Sequence, residues 1–165
     1  NILLEKKNKK ISYLCTPLQM EYAKKRYEGV IHTLNDYGIE INLSDFYFVK
    51  DVTIDTGYQK TKKIISNQGY TAIYSLSNVL AMGALKAFNE KNMFLQQDIS
   101  MVSHGDLEVF NKIGFNITTV SISTERVSEI AVNLLFNRIQ NPESDIKKTT
   151  LDLKTNLKGS EKYKK

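Results

Sequence analysis

The sequence holds a single cysteine, Cys15, so no disulfide can close within the chain. A reducing, cytoplasmic compartment is the natural expectation for such usage. Long apolar runs are missing too. Nothing approaches the roughly 18 consecutive apolar residues that a membrane helix needs, and no membrane role is expected. The segment from Asn1 to Lys10 is polar and lysine-rich and does not read as a signal peptide. Because the chain opens on Asn1 with what looks like a linker, it reads as a piece of a longer protein. Catalytic signatures are equally scarce. There is no G-x-S-x-G elbow, no phosphate-binding loop and no G-x-G-x-x-G turn. The two histidines, His32 and His104, do not combine with Cys15 or with acidic residues at metal-ligand spacing, so neither metal nor cofactor is expected. His32 falls in mid-helix and reads as a surface residue. Asp106 and Glu108 stand two apart in a loop, which by itself has no acid/base meaning. No catalytic residue can be nominated and no enzyme is expected.

What is present is an ordinary soluble composition: 165 residues, 41% hydrophobic and 25% charged, enough for one domain with a sizeable core. The net charge of +5 comes from 23 basic against 18 acidic residues. The lysines collect between Lys6 and Lys10, Lys60 and Lys63, at Lys147-Lys148, and from Lys158 to Lys165, with no aromatic among them but Tyr163. That pattern is a solvated surface rather than a nucleic-acid groove.

The apolar pattern alternates between short runs and helical periods. Strands are predicted at Ile11–Cys15, Phe46–Val49, Ala72–Leu76, Ile99–Ser103 and Thr118–Ile122, with a last one from Thr149 to Lys154. Helices are predicted between them. The first carries Ala23, Tyr27, Val30, Ile31 and Leu34 and stops at Gly38. The second is capped by Thr56, the third by Ser77 or Asn78, and the last runs from a Ser123 cap to Asn141-Pro142. Strands alternating with such helices predict right-handed βαβ units on a parallel, Rossmann-like sheet flanked by three helices. Gly159 to Lys165 reads as a polar tail.

In open α/β sheets ligands bind at the carboxyl ends of the strands. Here those ends are Cys15-Thr16-Pro17, Leu76-Ser77-Asn78 and Ser103-His104-Gly105-Asp106. Their hydroxyls, amide, imidazole and carboxylate could hydrogen-bond a small polar ligand, though such residues also favour turns and caps for their own sake. Arg26, in the first helix, could face the same cleft with its guanidinium fork. From spacing alone, a solvent-facing helix charge is the simpler reading.

Several stretches resemble the LacI/GalR repressor family in order and spacing. Lys10 to Leu18 resembles that family's strand ending in a Gly-Pro turn, and Arg26 to Gly29 its R-x-x-G. Leu76 to Leu85 is similar to A-N-D-x-x-A-x-G-A-L, and Asp98 to Asp106 to D-I-S-V-V-G-F-D-D. Thr118-Thr119-Val120 matches T-T-V, and Leu157 to Ser160 is similar to V-R-G-S. The resemblance covers nearly the whole chain. It implies one lobe of a periplasmic-binding-protein-like fold, residues 10–122 and 149–157, with helix 124–140 belonging to a partner lobe outside this chain. It further implies a region that senses a small molecule, a sugar or its derivative by family habit, and governs DNA binding by a helix-turn-helix head not contained here. A periplasmic sugar-binding protein of a transport system is the alternative on the same fold.

The effector contacts implied are Arg26, which holds the family's arginine position, with Thr16, Ser77, His104 and Asp106. Three positions depart from the family. Ser77 replaces the Asn of A-N-D, Gly105 the first Asp of G-F-D-D, and Ile122 a Gln that often follows T-T-V, which points away from an ordinary sugar. The family also dimerises through this lobe. A homodimer is therefore expected through the helix from Asn78 to Lys91, using Leu80, Met82, Leu85 and Phe88 with Val109 nearby. That helix is apolar on more than one side, which requires a second cover.

Overall fold

The computed structural model of the chain describes residues 2–6, 8, 10–67, 69–107, 112 and 114–163. A short helix α1 (Ile2–Glu5) leads into strand β1 (Ile11–Cys15) and helix α2 (Glu21–Asp36). A single 3-10 turn (Leu43–Asp45) precedes β2 (Phe46–Phe48) and α3 (Ile54–Ser66). Then follow β3 (Ala72–Ser75), α4 (Asn78–Glu90), β4 (Ser100–His104), β5 (Thr118–Ser121), α5 (Thr124–Gln140) and β6 (Lys154–Asn156). The sheet order is β2-β1-β3-β4-β5-β6. The strands from β1 to β5 pair in parallel, in the registers Tyr13↔Phe46, Ser12↔Ile73, Ile73↔Met101 and Ser103↔Thr119. The expected parallel α/β sheet is therefore the observed one.

The side-chain period of a strand sorts the interior into two cores, one on each sheet face. Ile11, Tyr13, Cys15, Ala72, Leu76 and Val102 face α1 and α2, where Leu3, Val30 and Leu34 meet them. Tyr13 stacks on Phe46 at 4.6 Å between ring centroids, and Tyr27 of α2 meets Phe46 edge-on at 5.3 Å. Leu14, Ile73 and Met101 face the other way, against Ile64 of α3 and Leu80, Ala84, Leu85 and Phe88 of α4.

Helix α2 ends as its sequence requires. Gly38 takes φ +63°, its N–H donates to Asn35 O at 3.0 Å, and Ile39 N–H donates to Leu34 O at 2.9 Å. This paired closure favours glycine at the left-handed position. Helix α3 starts differently from the expectation. Its cap is Thr53, whose hydroxyl accepts from Thr56 N–H, while the Thr56 hydroxyl accepts from Thr53 N–H. Thr56 is thus the inner half of a capping box rather than the cap.

The final strand also differs. It lies at Lys154–Asn156, not Thr149–Lys154, and it pairs antiparallel to β5 with Ser121↔Lys154, Val120↔Thr155 and Thr119↔Asn156. Lys154 already sits opposite the last residue of β5, so residues before it run past the end of the neighbouring strand and find no partner. The tail beyond it is not a free polar end. Ser160 and Glu161 are buried. The Ser160 hydroxyl donates to Met101 O at 2.6 Å and accepts from Thr118 N–H at 2.8 Å. The Thr118 hydroxyl donates to the Glu161 carboxylate, which also accepts from Gly159 N–H at 3.0 Å.

The proposed dimer contacts on α4 need correction. Leu80, Leu85 and Phe88 are 0, 4 and 2% exposed, enclosed by this chain's own core. The second cover that α4 demands is α3. A Cβ on Gly83 would stand 2.2 Å from Ile54 O, and one on Gly57 would stand 2.5 Å from Leu80 O. The two glycines let the helix backbones touch, so α3 covers that flank of α4. Of the expected set only Met82, half-buried, could reach a neighbour. Val109 lies outside the described residues.

Candidate functional site

Arg26 and His104 come together at the carboxyl ends of the central strands. Strand period places His104 on the same face as Val102, toward α2. Arg26, on the second turn of α2, reaches the carboxyl end of β3, and its Nη1 donates to Leu76 O at 2.9 Å. The ring of Tyr22, one turn earlier on the same helix face, lies 4.8 Å from the guanidinium carbon. Both Arg26 and His104 line a cavity of about 440 Å³ on the α2 side of the sheet. Its remaining wall is mostly apolar and includes Tyr13, Val30, Tyr74, Val102 and Val120. That volume lies within the range of small-molecule sites.

Burial sets the electrostatics. It lowers the Arg26 pKa, against the raising influence of Tyr22 and Tyr74. Burial, followed by the positive charge of Arg26, depresses His104 to about 4. At neutral pH the half-buried Arg26 is a cation beside a neutral imidazole, and the exposed Lys25, paired with Glu21, also lines the cavity. Burial likewise raises the Tyr74 hydroxyl above its ordinary value. The Cys15 thiol, wholly buried, is pushed up to about 12 and is no nucleophile.

The other expected residues are distributed differently. Thr16 and Ser77 are 1 and 7% exposed and do not line the cavity. The Thr16 hydroxyl is buried without a hydrogen-bond partner among the described residues. The Ser77 carbonyl accepts from the Ser75 hydroxyl at 2.8 Å. Asp106 is exposed, and its carbonyl accepts from the Asn78 side chain at 3.1 Å. Asn78 thus ties the end of β3 to the end of β4. A side chain at Gly105 would crowd that tie, because a Cβ would come 3.1 Å from Asn78 Cγ and the backbone holds φ +97°. Tyr22 and Tyr74 were not among the residues expected at the site. The i, i+4 spacing from Tyr22 to Arg26 and the i, i+2 spacing from Tyr74 to Leu76 were the available signals. Among the described residues no group of three or more His, Cys, Asp or Glu side chains could hold a metal ion. No described helix is long and apolar enough to cross a membrane.

The sequence profile of the periplasmic binding protein-like domain matches residues 1–160. The HTH-type transcriptional repressor PurR of Mannheimia succiniciproducens is 28% identical over 156 residues, which are 94% of this chain and 46% of that protein. The repressor of the same name from Pasteurella multocida is 31% identical over 138 residues, 83% of this chain and 41% of its own length. The chain therefore spans a little under half of the relatives it matches. A LacI family transcriptional regulator from Enterococcus faecium, solved with bound ribose, superposes with a TM-score of 0.85 at 22% identity, over 99% of this chain and 60% of that one. The chain belongs to the periplasmic binding protein-like domain family, and the relatives it resembles there are regulators of the LacI and PurR kind.

Proposed function

We propose that this chain is the effector-sensing part of a DNA-binding transcription repressor and that it carries no catalytic activity of its own. The observation behind this reading is the convergence of Arg26 and His104 on one small-molecule-sized cavity at the strand ends of a fold whose relatives are repressors. Arg26 supplies the fixed polar anchor, and Asn78 and Asp106 shape the adjoining rim. Helix α5 contains no buried residue, which supports its assignment to a companion lobe of the parent protein. In that arrangement residues 10–122 and 149–157 form one wall of a cleft, the companion lobe forms the other, and a helix-turn-helix segment outside residues 1–165 reads the operator. Ligand occupancy changes how the lobes and the two copies of a homodimer sit, and so how DNA is held. A cytoplasmic setting follows from that role. The repressor relatives favour this reading over a transport-system binding protein.

The test is a thermal-shift screen of the 165-residue chain against neutral sugars, sugar phosphates, purines and simple carboxylic acids. At least one class is expected to raise the melting temperature saturably. Arg26→Ala should abolish that rise while leaving the ligand-free melting temperature within a degree or so, since the side chain is only half-buried. Binding that survives Arg26→Ala with undiminished affinity would refute the site assignment.

A further inference from the structure

Arg26 is a cation without an anion. Along the same helix the other charged side chains are paired: Lys24 with Glu28 at 3.8 Å, Lys25 with Glu21 at 2.8 Å, and His32 with Asp36 at 2.9 Å. Lys25 also lines the cavity but is exposed and paired, whereas Arg26 is half-buried and finds only the Leu76 carbonyl and the face of Tyr22. No described carboxylate lies within ion-pair distance of it. His104, beside it, has no side-chain hydrogen-bond partner among the described residues, so its imidazole N–H is available. A half-buried charge that the protein does not neutralise is costly unless something else pairs with it. The wall beyond these two groups is mostly apolar, with Val30, Val102 and Val120; its hydroxyls are those of Tyr13, Tyr74 and Thr33, and Thr33 already donates to Gly29 O at 2.9 Å.

We propose, building on the assignment of this cavity as the effector site, that the effector is a small organic anion whose carboxylate or phosphate seats between Arg26 and His104. The guanidinium fork presents parallel N–H donors that match two oxygens of either group, and the neutral imidazole adds one donor. The apolar wall takes the remainder of the ligand. A neutral sugar leaves the charge of Arg26 unanswered and is the poorer ligand.

The experiment is an NMR titration of the 165-residue chain at constant ionic strength, following the Arg26 Nε–H and the His104 ring. The titrants are ribose, ribose 5-phosphate and benzoate, with chloride as the control for bulk charge. At least one anion is expected to shift both resonances saturably, at concentrations about 10- to 100-fold below those at which ribose acts. The two anions distinguish a phosphate ester from a carboxylate as the natural group. Arg26→Gln should weaken the preferred anion by a similar factor, Arg26→Lys should keep part of the affinity, and Lys24→Gln should change nothing. If ribose binds as tightly as the anions and Arg26→Gln weakens all three alike, the anion inference is overturned while the cavity remains the effector site. If chloride reproduces the shifts, or no titrant moves Arg26, the inference is likewise overturned. Undiminished binding by Arg26→Gln would remove both the inference and the site.

Discussion

His104 shows how one residue joins site and stability. Burial and Arg26 depress its pKa to about 4 in the folded chain, against about 6.5 when unfolded. A histidine depressed on folding binds fewer protons in the native state, so stability is complete above the unfolded value. It is lost progressively as pH falls from about 6.5 through about 4. The chain should therefore melt several degrees lower at pH 5 than at pH 7. His104→Phe, which keeps an aromatic ring on the same face, should flatten that part of the dependence. An unchanged slope in the variant, measured by thermal denaturation across that range, would show that other groups carry it. His104 could be nominated from sequence because a strand followed by Gly-Asp marks a carboxyl end. Its partnership with Arg26 could not, because the spacing of Arg26 fits a solvent-facing charge equally well. The inward turn of that one side chain is a tertiary fact, set by where α2 lies on the sheet.

At the scale of elements, the apolar excess of α4 was visible in the sequence but its cover was not. A second apolar flank says that something must pack there, and it does not say whether that is a partner or the preceding helix. Gly57 and Gly83 held the answer, because glycine inside a helix lowers helix propensity and persists where backbones approach closely. With Ile54 O 2.2 Å from a Cβ built on Gly83, the added methyl of Gly83→Ala cannot be absorbed by a side-chain rotation. The helices must separate and open the core around Leu80, Ala84 and Ile64. The expected cost is about 1–3 kcal/mol despite the gain in helix propensity. Urea denaturation is the check, and a stabilised Gly83→Ala would mean that the helices do not cross this closely. The Thr53–Thr56 box had the same ambiguity. Either threonine could cap a helix, and only the backbone shows that the helix already starts at Ile54, which makes Thr53 the cap and Thr56 its partner at the third position.

For the molecule as a whole, the alternation of apolar runs and helical periods was enough to place the parallel strands and the helices between them. Long-range closure was less legible. Ser160 and Glu161 stand in a lysine-rich tail, and composition alone gives no reason for them to be buried beneath Thr118. Helix α5 is the converse case, a helix placed correctly by its cap and stop signals, in which no residue is buried among the described residues. Ile130 and Leu134 are half-covered, but Val132, Leu135, Phe136 and Ile139, spaced as one stripe, are 49, 60, 59 and 64% exposed. Ile146 and Leu157 add exposed apolar surface in the segment that follows. Four large side chains in a row amount to an apolar patch of a few hundred Å², the size that marks an interaction surface on a soluble protein. At about 25 cal/mol per Å², covering it is worth several kcal/mol. In the parent, a companion lobe would supply that cover. In the isolated chain, only another copy can. With Leu80, Leu85 and Phe88 enclosed, association of the isolated chain should run through α5 rather than α4. Sedimentation velocity should therefore show concentration-dependent dimers or larger species. Leu135→Ser combined with Phe136→Ser and Ile139→Ser should return the chain to a monomer with an unchanged melting temperature, because none of the three contributes to either core. A clean monomer of the unsubstituted chain at high concentration, or association that persists in the triple variant, would place the contact elsewhere.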